Sequence, residues 1–272
     1  MQPTFVHLLR SLAFTITLQA VAFAQAQPLA EDDYINPDRP GIADGSNVVG
    51  AGRVQIETGL QHEYRKGKDG AVRALFVPTL VRLGVTSNLE ARIEGNTYSL
   101  VKSADATPGA GRSEGLAPVS IGFKVHIADA DGAQRPSVAA IVRVFPPSGS
   151  RGFRTTRAAG DFRLAADWDF AQQWSLNPNL GIAIVDDGMQ GSYRAGLLAV
   201  TLSYNPRRDF NLFIDAGLQS PETRNGKTAV TLDVGAAWIV GRNLQFDLSA
   251  GTRAAGTTPP RFFLAAGISQ RF

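Results

Sequence analysis

Acidic and basic side chains stand at alternate positions in several otherwise apolar stretches, and they are the main candidates for chemistry in this sequence. Glu90, Arg92 and Glu94 alternate with apolar residues. A β-strand places successive side chains on opposite faces. One face therefore carries the acids Glu57, Glu90, Glu94, Asp167, Asp169, Asp215, Asp233 and Asp247, and the bases Arg82, Arg92, Lys124, Arg143, Arg163, Arg253, Arg261 and Arg271. Because the two signs balance, we predict cross-strand ion pairs lining a narrow lumen, not an ion-selective ring of one sign.

Residue patterns typical of catalytic sites are weak in this sequence. A serine nucleophile needs a histidine base that is held by a polar partner. Only His126 falls on the charged face, beside Lys124, and no motif links it to a serine or an acid. We interpret His126 as a lumen-lining residue and predict no enzymatic activity. No histidine and carboxylate spacing repeats as in metal sites, and the chain has no cysteine, so we predict neither a metal nor a cofactor.

Strands must carry these charges, because the apolar residues recur at every second position and not at helical steps. Most predicted strands have ~10–13 residues, which is enough to cross a bilayer at a tilt. Pro78 and Pro178 fall inside them, where we expect bulges. We predict an all-β, antiparallel up-and-down transmembrane barrel of twelve strands at 53–64, 72–85, 89–101, 116–127, 136–146, 161–171, 175–186, 193–204, 210–218, 228–240, 244–254 and 261–272.

The connections alternate between short turns and longer loops, which is typical of an outer-membrane barrel with its short side in the periplasm. Aromatic residues cluster near both ends of the strands, as interfacial girdles would. The competing architecture is an exported soluble sandwich or lipocalin-like barrel, since alternation alone does not say which face points inward. Strand length and number favour the membrane.

The chain divides into three predicted parts. Residues 1–24 have the pattern of a cleaved secretory signal peptide, with Ala22-Phe23-Ala24 as the cleavage site and Ala26 as an alternative. Residues 25–51 form either a periplasmic N-terminal segment or a lumen plug, and residues 52–272 form the barrel. Phe272 ends the last strand and resembles the signal read by the outer-membrane assembly machinery. The predicted partners are that machinery, outer-membrane lipid and a small solute.

The net charge is +3 and no run of Lys or Arg could follow a phosphate backbone, so we predict no nucleic-acid partner.

Motifs near the N-terminus resemble the start of a family named for a MetA pathway of phenol degradation. They are Asp38-Arg39-Pro40-Gly41, Asp44, Gly52-Arg53-Val54-Gln55-Ile56-Glu57-Thr58-Gly59 and the hairpin units Leu80–Thr86 and Leu89–Arg92. The resemblance implies an outer-membrane barrel that passes aromatic or apolar compounds. It also strengthens the plug hypothesis, with Asp38 and Arg39 as candidate plug residues.

We therefore predict a channel for small solutes in the bacterial outer membrane. A barrel enzyme of the esterase or deacylase kind and a structural or surface-recognition barrel stay as alternatives. Tyr98, Phe145 and Tyr193 fall on the inward parity near the long-loop ends, which predicts an aromatic mouth suited to an aromatic solute. A one-residue bulge would instead turn these rings outward.

Overall fold

The computed structural model describes residues 33–67, 70–103, 111–189 and 191–272. The predicted signal peptide, residues 1–24, lies outside these ranges. The strands are β1 (Val54–Gly67), β2 (Gly70–Gly84), β3 (Leu89–Ser103), β4 (Arg112–Gly115), β5 (Ser120–Ala128), β6 (Ser137–Phe145), β7 (Ala159–Ala171), β8 (Trp174–Asp186), β9 (Ser192–Arg207), β10 (Phe210–Ser220), β11 (Ala229–Val240), β12 (Leu244–Ala255) and β13 (Phe262–Arg271).

Twelve of these strands close into an antiparallel barrel. Each pairs with its neighbour in sequence, and β13 pairs with β1 over the register Gln55–Arg271 to Tyr64–Phe262. β4 stands outside the ring and pairs only with β3. The predicted all-β, twelve-stranded fold is confirmed. In the described ranges, no helix is long and apolar enough to cross a membrane.

The fourth predicted strand, 116–127, needs a correction. The barrel strand there begins only at Ser120, and the chain before it forms the separate strand β4. Pro118 has no amide hydrogen for the ladder, and Gly115 has a φ of 141°, which suits glycine. The pairing with β3 is therefore broken between β4 and β5.

The two strand prolines behave differently. At Pro78 the register between β2 and β3 shifts, as expected for a bulge. At Pro178 the expectation is wrong, because β8 keeps a continuous register with β9. The side-chain amide of Asn177 donates a hydrogen bond of 2.6 Å to the carbonyl of Ala166 on β7. A neighbouring side chain thus satisfies a backbone acceptor where proline offers no donor.

Apolar side chains cover the outside of the barrel and polar ones fill the inside. A soluble barrel would show the reverse. The exposed outer side chains include Leu60, Ile93, Ile121, Phe123, Val144, Leu164, Leu180, Ile182, Ile214, Val234, Leu248 and Leu264. The buried inner ones include Gln55, Glu57, Arg82, Glu90, Arg92, Lys124, Arg143, Asn179, Asp215, Asp233, Gln245 and Asp247. An apolar surface of this extent suits lipid and not water.

The two rims of the barrel differ. The short-turn rim carries the turns at 85–88, 129–136, 172–173, 208–209 and 241–243, and the long-loop rim carries the connections that follow β3, β6, β8, β10 and β12. On the short-turn rim, the rings of Trp174 and Tyr204 lie 4.9 Å apart. Trp238 and Phe246 are cross-strand partners there, and both are exposed. Aromatic rings therefore mark this rim, as the girdle prediction expects.

Leu180 tests which side faces lipid, because it lies midway along β8 with 64% of its surface exposed. We expect Leu180→Arg to lower the free energy of unfolding by about 2–4 kcal/mol in lipid vesicles, since a charge would enter the bilayer midplane. Met189, 82% exposed beyond the end of β8, gives the matched control. Met189→Arg should change little in the same urea titration. Equal stability of the two variants would contradict a lipid-facing exterior.

Candidate functional site

The N-terminal segment, Asp33–Ala51, is attached at both ends to the short-turn rim. Asp33 forms ion pairs of 2.7 Å with Arg271 and with Arg53. The amide of Ile35 donates to the carbonyl of Arg242 at 2.7 Å. At the other end, the amide of Gly52 donates to the carbonyl of Gly84 at 2.9 Å. Between these attachments, the segment loops into the lumen.

Inner-wall side chains satisfy the backbone of this segment. It has no regular secondary structure, so its buried amides need partners from elsewhere. The acceptors come from five strands around the wall. The bonds run from Arg39 to Glu57 (3.0 Å), Ile42 to Asp215 (2.7 Å), Asp44 to Asn179 (2.8 Å), Ser46 to Asp167 (2.7 Å) and Val49 to Glu90 (3.0 Å).

The carboxylate of Asp38 lies among three buried bases. Lys124 Nζ is 2.9 Å from both of its oxygens, Arg92 Nη1 is 2.5 Å from Oδ2, and Arg82 Nη1 is 3.8 Å from Oδ2. We call this group, together with the wall acids Glu57 and Glu90, the anchor cluster. The wall alone supplies three bases and two acids, so Asp38 provides the negative charge that balances it.

Burial alone would raise the pKa of Asp38, but Arg82, Lys124 and Arg92 hold it well below its ordinary value. Burial likewise opposes a lowered pKa for Asp44, which Arg92, Arg143 and Arg163 nevertheless keep low. Both carboxylates are therefore ionised at neutral pH. Because both pKa values are depressed, their contribution to docking is present above the ordinary range of aspartate and is lost only as pH falls through the lowered values.

Arg39 points to another part of the wall, formed by β1, β12 and β13, where two glycines make room for it. Gly59 of β1 and Gly267 of β13 are cross-strand partners. A Cβ on either residue would lie within 2.7 Å of the guanidinium nitrogens of Arg39. The same guanidinium donates to Asp247 Oδ1 at 3.1 Å. Any larger residue at Gly59 or Gly267 would displace Arg39.

The charges of the inner wall are segregated, which corrects the prediction of general cross-strand pairing. Bases and acids pair on β2 to β7, as in Arg82–Glu90 at 2.9 Å, Arg143–Asp161 at 3.0 Å and Arg143–Glu94 at 2.8 Å. On β10 to β12 the inner face carries Asp215, Asp233 and Asp247, and within the described ranges no wall base forms an ion pair with them. Arg253, on the same inner face of β12, donates to the carbonyl of Thr257 at 2.9 Å and not to these acids, and the bases of the ion pairs named above lie on β2 to β7.

The other predicted lining residues also contact the N-terminal segment. Arg163 pairs with Asp44 at 3.1 Å, and Asp167 accepts from the amide and the hydroxyl of Ser46. His126 Nδ1 lies 3.1 Å from the carbonyl oxygen of Ser46, and its Nε2 lies 2.9 Å from Asp129. The hydroxyl of Ser46 bonds to Ser137 and Asp167 and not to His126. His126 therefore contacts the backbone of the segment and not the hydroxyl of Ser46.

Two cavities of about 580 and 730 Å³ lie between the segment and the long-loop rim. Both are bounded by Arg39, Gly41 and Ile42 of the segment, and by Arg163, Leu197 and Gln219 of the wall. We name them by the wall that each adjoins: the acidic-side cavity includes Asp233 and Phe263 and is also lined by Arg65, and the basic-side cavity includes Arg92, Arg143 and Phe145 and is also lined by Asp161. Together they form a vestibule whose floor is the segment.

The structure places the three aromatic residues predicted for the mouth in different positions. Phe145 lines the basic-side cavity. Tyr193 is on the inner face, with its hydroxyl donating to the carbonyl of Glu222 at 2.7 Å. Tyr98 is on the outer face, so its placement in the mouth is wrong. The register shift opposite Pro78 adds Thr97 as an extra residue to β3, which makes Ser99 the buried inner residue and turns Tyr98 outward.

The sequence did not reveal the uncharged wall residues that contact the segment. Gly59 and Gly267 seat Arg39, and Asn179 both accepts from the amide and donates to the carbonyl of Asp44. A usable signal existed, since both glycines fall on the inward parity of the first and last strands. In the part of the chain that the structure describes, no three His, Asp or Glu residues are placed to hold a metal ion.

Comparisons with known proteins agree on the fold. A family model described as "Putative MetA-pathway of phenol degradation" matches residues 37–272. An outer membrane channel from Pseudomonas putida F1 is similar, with a TM-score of 0.60 and 14% identity over 90% of this chain and 100% of that one. The NanC porin has a TM-score of 0.50 and 10% identity over 80% of this chain and 98% of that one. No curated protein sequence matches.

Asp38→Asn tests the anchor cluster. The amide would remove the carboxylate that contacts Lys124, Arg92 and Arg82, while Asp44 would still pair with Arg92. Breaking a buried ion pair from one side costs about 3–5 kcal/mol. The chain has no cysteine, so Ala43→Cys, at a buried position of the segment, can report docking. We expect maleimide to label the introduced thiol at least about a hundredfold faster when Asp38→Asn is also present. An unchanged labelling rate would contradict anchoring by Asp38.

Proposed function

The chain belongs to the family described as "Putative MetA-pathway of phenol degradation", and from this premise we propose that it is an outer-membrane channel for small solutes whose own N-terminal segment closes the lumen. The observation that carries the proposal is the buried segment across the barrel, held to wall strands on all sides, beneath a vestibule. A barrel wall built only for structure would need no such arrangement.

The outer surface supports the location. Apolar side chains surround the barrel, aromatic rings mark the short-turn rim, and polar side chains are enclosed. These are the features of strands that cross a bilayer. The predicted export signal would direct the chain to the cell envelope, and the short-turn rim would then face the periplasm.

The segment is suited to act as a gate because it is held by side chains and not by strand pairing. In the described ranges its bonds to the inner wall are side-chain contacts, apart from the rim attachments. A loop held in this way can leave without breaking the barrel ladder. Solute would enter the vestibule from the long-loop rim, and its passage to the periplasm would require the segment to shift.

The vestibule favours small solutes with an apolar or aromatic part. Its cavities, about 580 and 730 Å³, fall in the size range of small-molecule sites, about 300–1,000 Å³. Phe145 on one side and Phe263 on the other offer ring faces beside charged and amide groups. Phenol combines a ring with one hydroxyl, and it is the compound class that the family description names.

Phenol flux through vesicles tests the gate. We expect Asp38→Asn to raise phenol flux and ionic conductance several-fold in lipid vesicles, because the segment would dock less tightly. Asp209→Asn is the matched control, since Asp209 pairs with Arg207 at an exposed turn of the short-turn rim. It should behave as wild type. If Asp38→Asn folds, shown by its faster unheated gel migration, yet passes no more phenol than Asp209→Asn, the gate proposal fails.

Variants of Phe145 and Tyr98 distinguish a side chain that contacts solute from one that contacts lipid. Phe145 lines the vestibule, whereas Tyr98 faces outward. We expect Phe145→Ala to raise the phenol concentration for half-maximal flux about three- to tenfold, because an aromatic pair contributes about 0.5–1.5 kcal/mol. Tyr98→Ala should leave it unchanged. A vestibule without a solute site would give the same value for both variants.

A further inference from the structure

Five residues of β9 to β13 form a row around the inner wall. Each is the direct cross-strand partner of the next, in the order Thr201, Asp215, Asp233, Gly251 and Phe263. All five are buried. The row places two carboxylates side by side, with no base among its five residues.

The two carboxylates differ in their partners. Asp215 accepts from the hydroxyl of Thr201 and, at 2.7 Å, from the amide of Ile42. Asp233 is only 4% exposed, and its Oδ1 has no hydrogen-bond partner. Like charges directly opposite each other destabilise a strand pair, and a buried charge without a partner is costly. In the described ranges no base forms an ion pair with Asp233, which borders the acidic-side cavity. The bases that line other parts of that cavity are Arg39, Arg65 and Arg163.

An aromatic ring adjoins the same carboxylate. Gly251 separates Asp233 from Phe263 in the row, and the ring of Phe263 covers it, since a Cβ on Gly251 would lie 2.2 Å from the ring. The ring thus occupies the place of the missing side chain next to Asp233. A cation placed between a carboxylate and an aromatic ring is attracted by the charge of the carboxylate and by the negative face of the ring.

We propose that Asp233 and Phe263 form a binding subsite for the ammonium group of a small organic cation, with its apolar part in the acidic-side cavity. That cavity measures about 580 Å³ and is bounded by Ile42 and Leu197, which can cover such a part. A bare metal ion fits less well, because in the described ranges no third acid or histidine joins the pair. The proposal extends the solute class of the proposed channel and rests on it only for how the solute arrives.

Binding of benzylammonium to the purified full-length protein in detergent, measured by calorimetry, is the test. Benzyl alcohol has the same ring without the charge. We expect wild type to bind benzylammonium at least about tenfold more tightly than benzyl alcohol, as a charge-assisted hydrogen bond would give. Asp233→Asn should abolish that preference. Asp209→Asn, at an exposed acid of the short-turn rim, should keep it.

Phe263→Leu provides a second variant that keeps an apolar side chain. It should weaken benzylammonium binding several-fold through loss of the ring. Equal binding of benzylammonium to wild type and Asp233→Asn would overturn the proposal, and so would a wild type that binds both compounds alike. If Asp233→Asn fails to fold, the comparison of the two compounds on wild type and Phe263→Leu decides. Phenol flux of Asp233→Asn, measured in parallel, separates failure of this subsite from failure of the channel.

Discussion

The docking of the N-terminal segment depends on the ion pairs of the Asp38 carboxylate, which is buried among Arg82, Arg92 and Lys124. These three bases are almost completely buried in the structure, and a buried charge without a partner costs several kcal/mol. Glu57 and Glu90 neutralise two of the bases. The third must be neutralised from outside the wall, so the inner wall of this barrel is electrostatically incomplete without its N-terminal segment.

The order of two residues then determines how the segment crosses the lumen. In an extended chain, consecutive side chains point in opposite directions. Asp38 reaches the basic side of the wall, and Arg39 reaches Asp247 on the acidic side. The adjacency of one acid and one base thus lets a single stretch of chain satisfy both sides. Gly59 and Gly267 contribute by absence of a side chain, which lets Arg39 lie against the wall.

Much of the barrel could be predicted from the sequence, because each strand that crosses a membrane carries its own two-residue period. Strand positions and the inward parity of Arg92 or Asp215 follow from neighbours in sequence. The site follows from contacts across the chain, as Asp38 meets Arg92 and Lys124 from 54 and 86 residues away. The two-residue period gives no information on such contacts. Only the resemblance of the Asp38-Arg39-Pro40 motif to the start of the family indicated a plug. The error at Tyr98 has the same origin, since a single extra residue, Thr97, reverses the parity of all that follows in its strand.

The segregation of charge would give the proposed gate an electrical consequence. While docked, Asp38 supplies a negative charge to the basic side of the lumen, and Arg39 supplies a positive charge to the acidic side. Withdrawal of the segment would remove both at once, together with Asp44, which pairs with Arg92 and Arg163. The lumen would lose two acids and one base and become more positive, and bases would face acids across the open passage. The field across the lumen would therefore be strongest when the passage is open, and a polar ring compound such as phenol would be oriented by it. The same field favours the return of the segment, because Asp38 and Arg39 are arranged to cancel it.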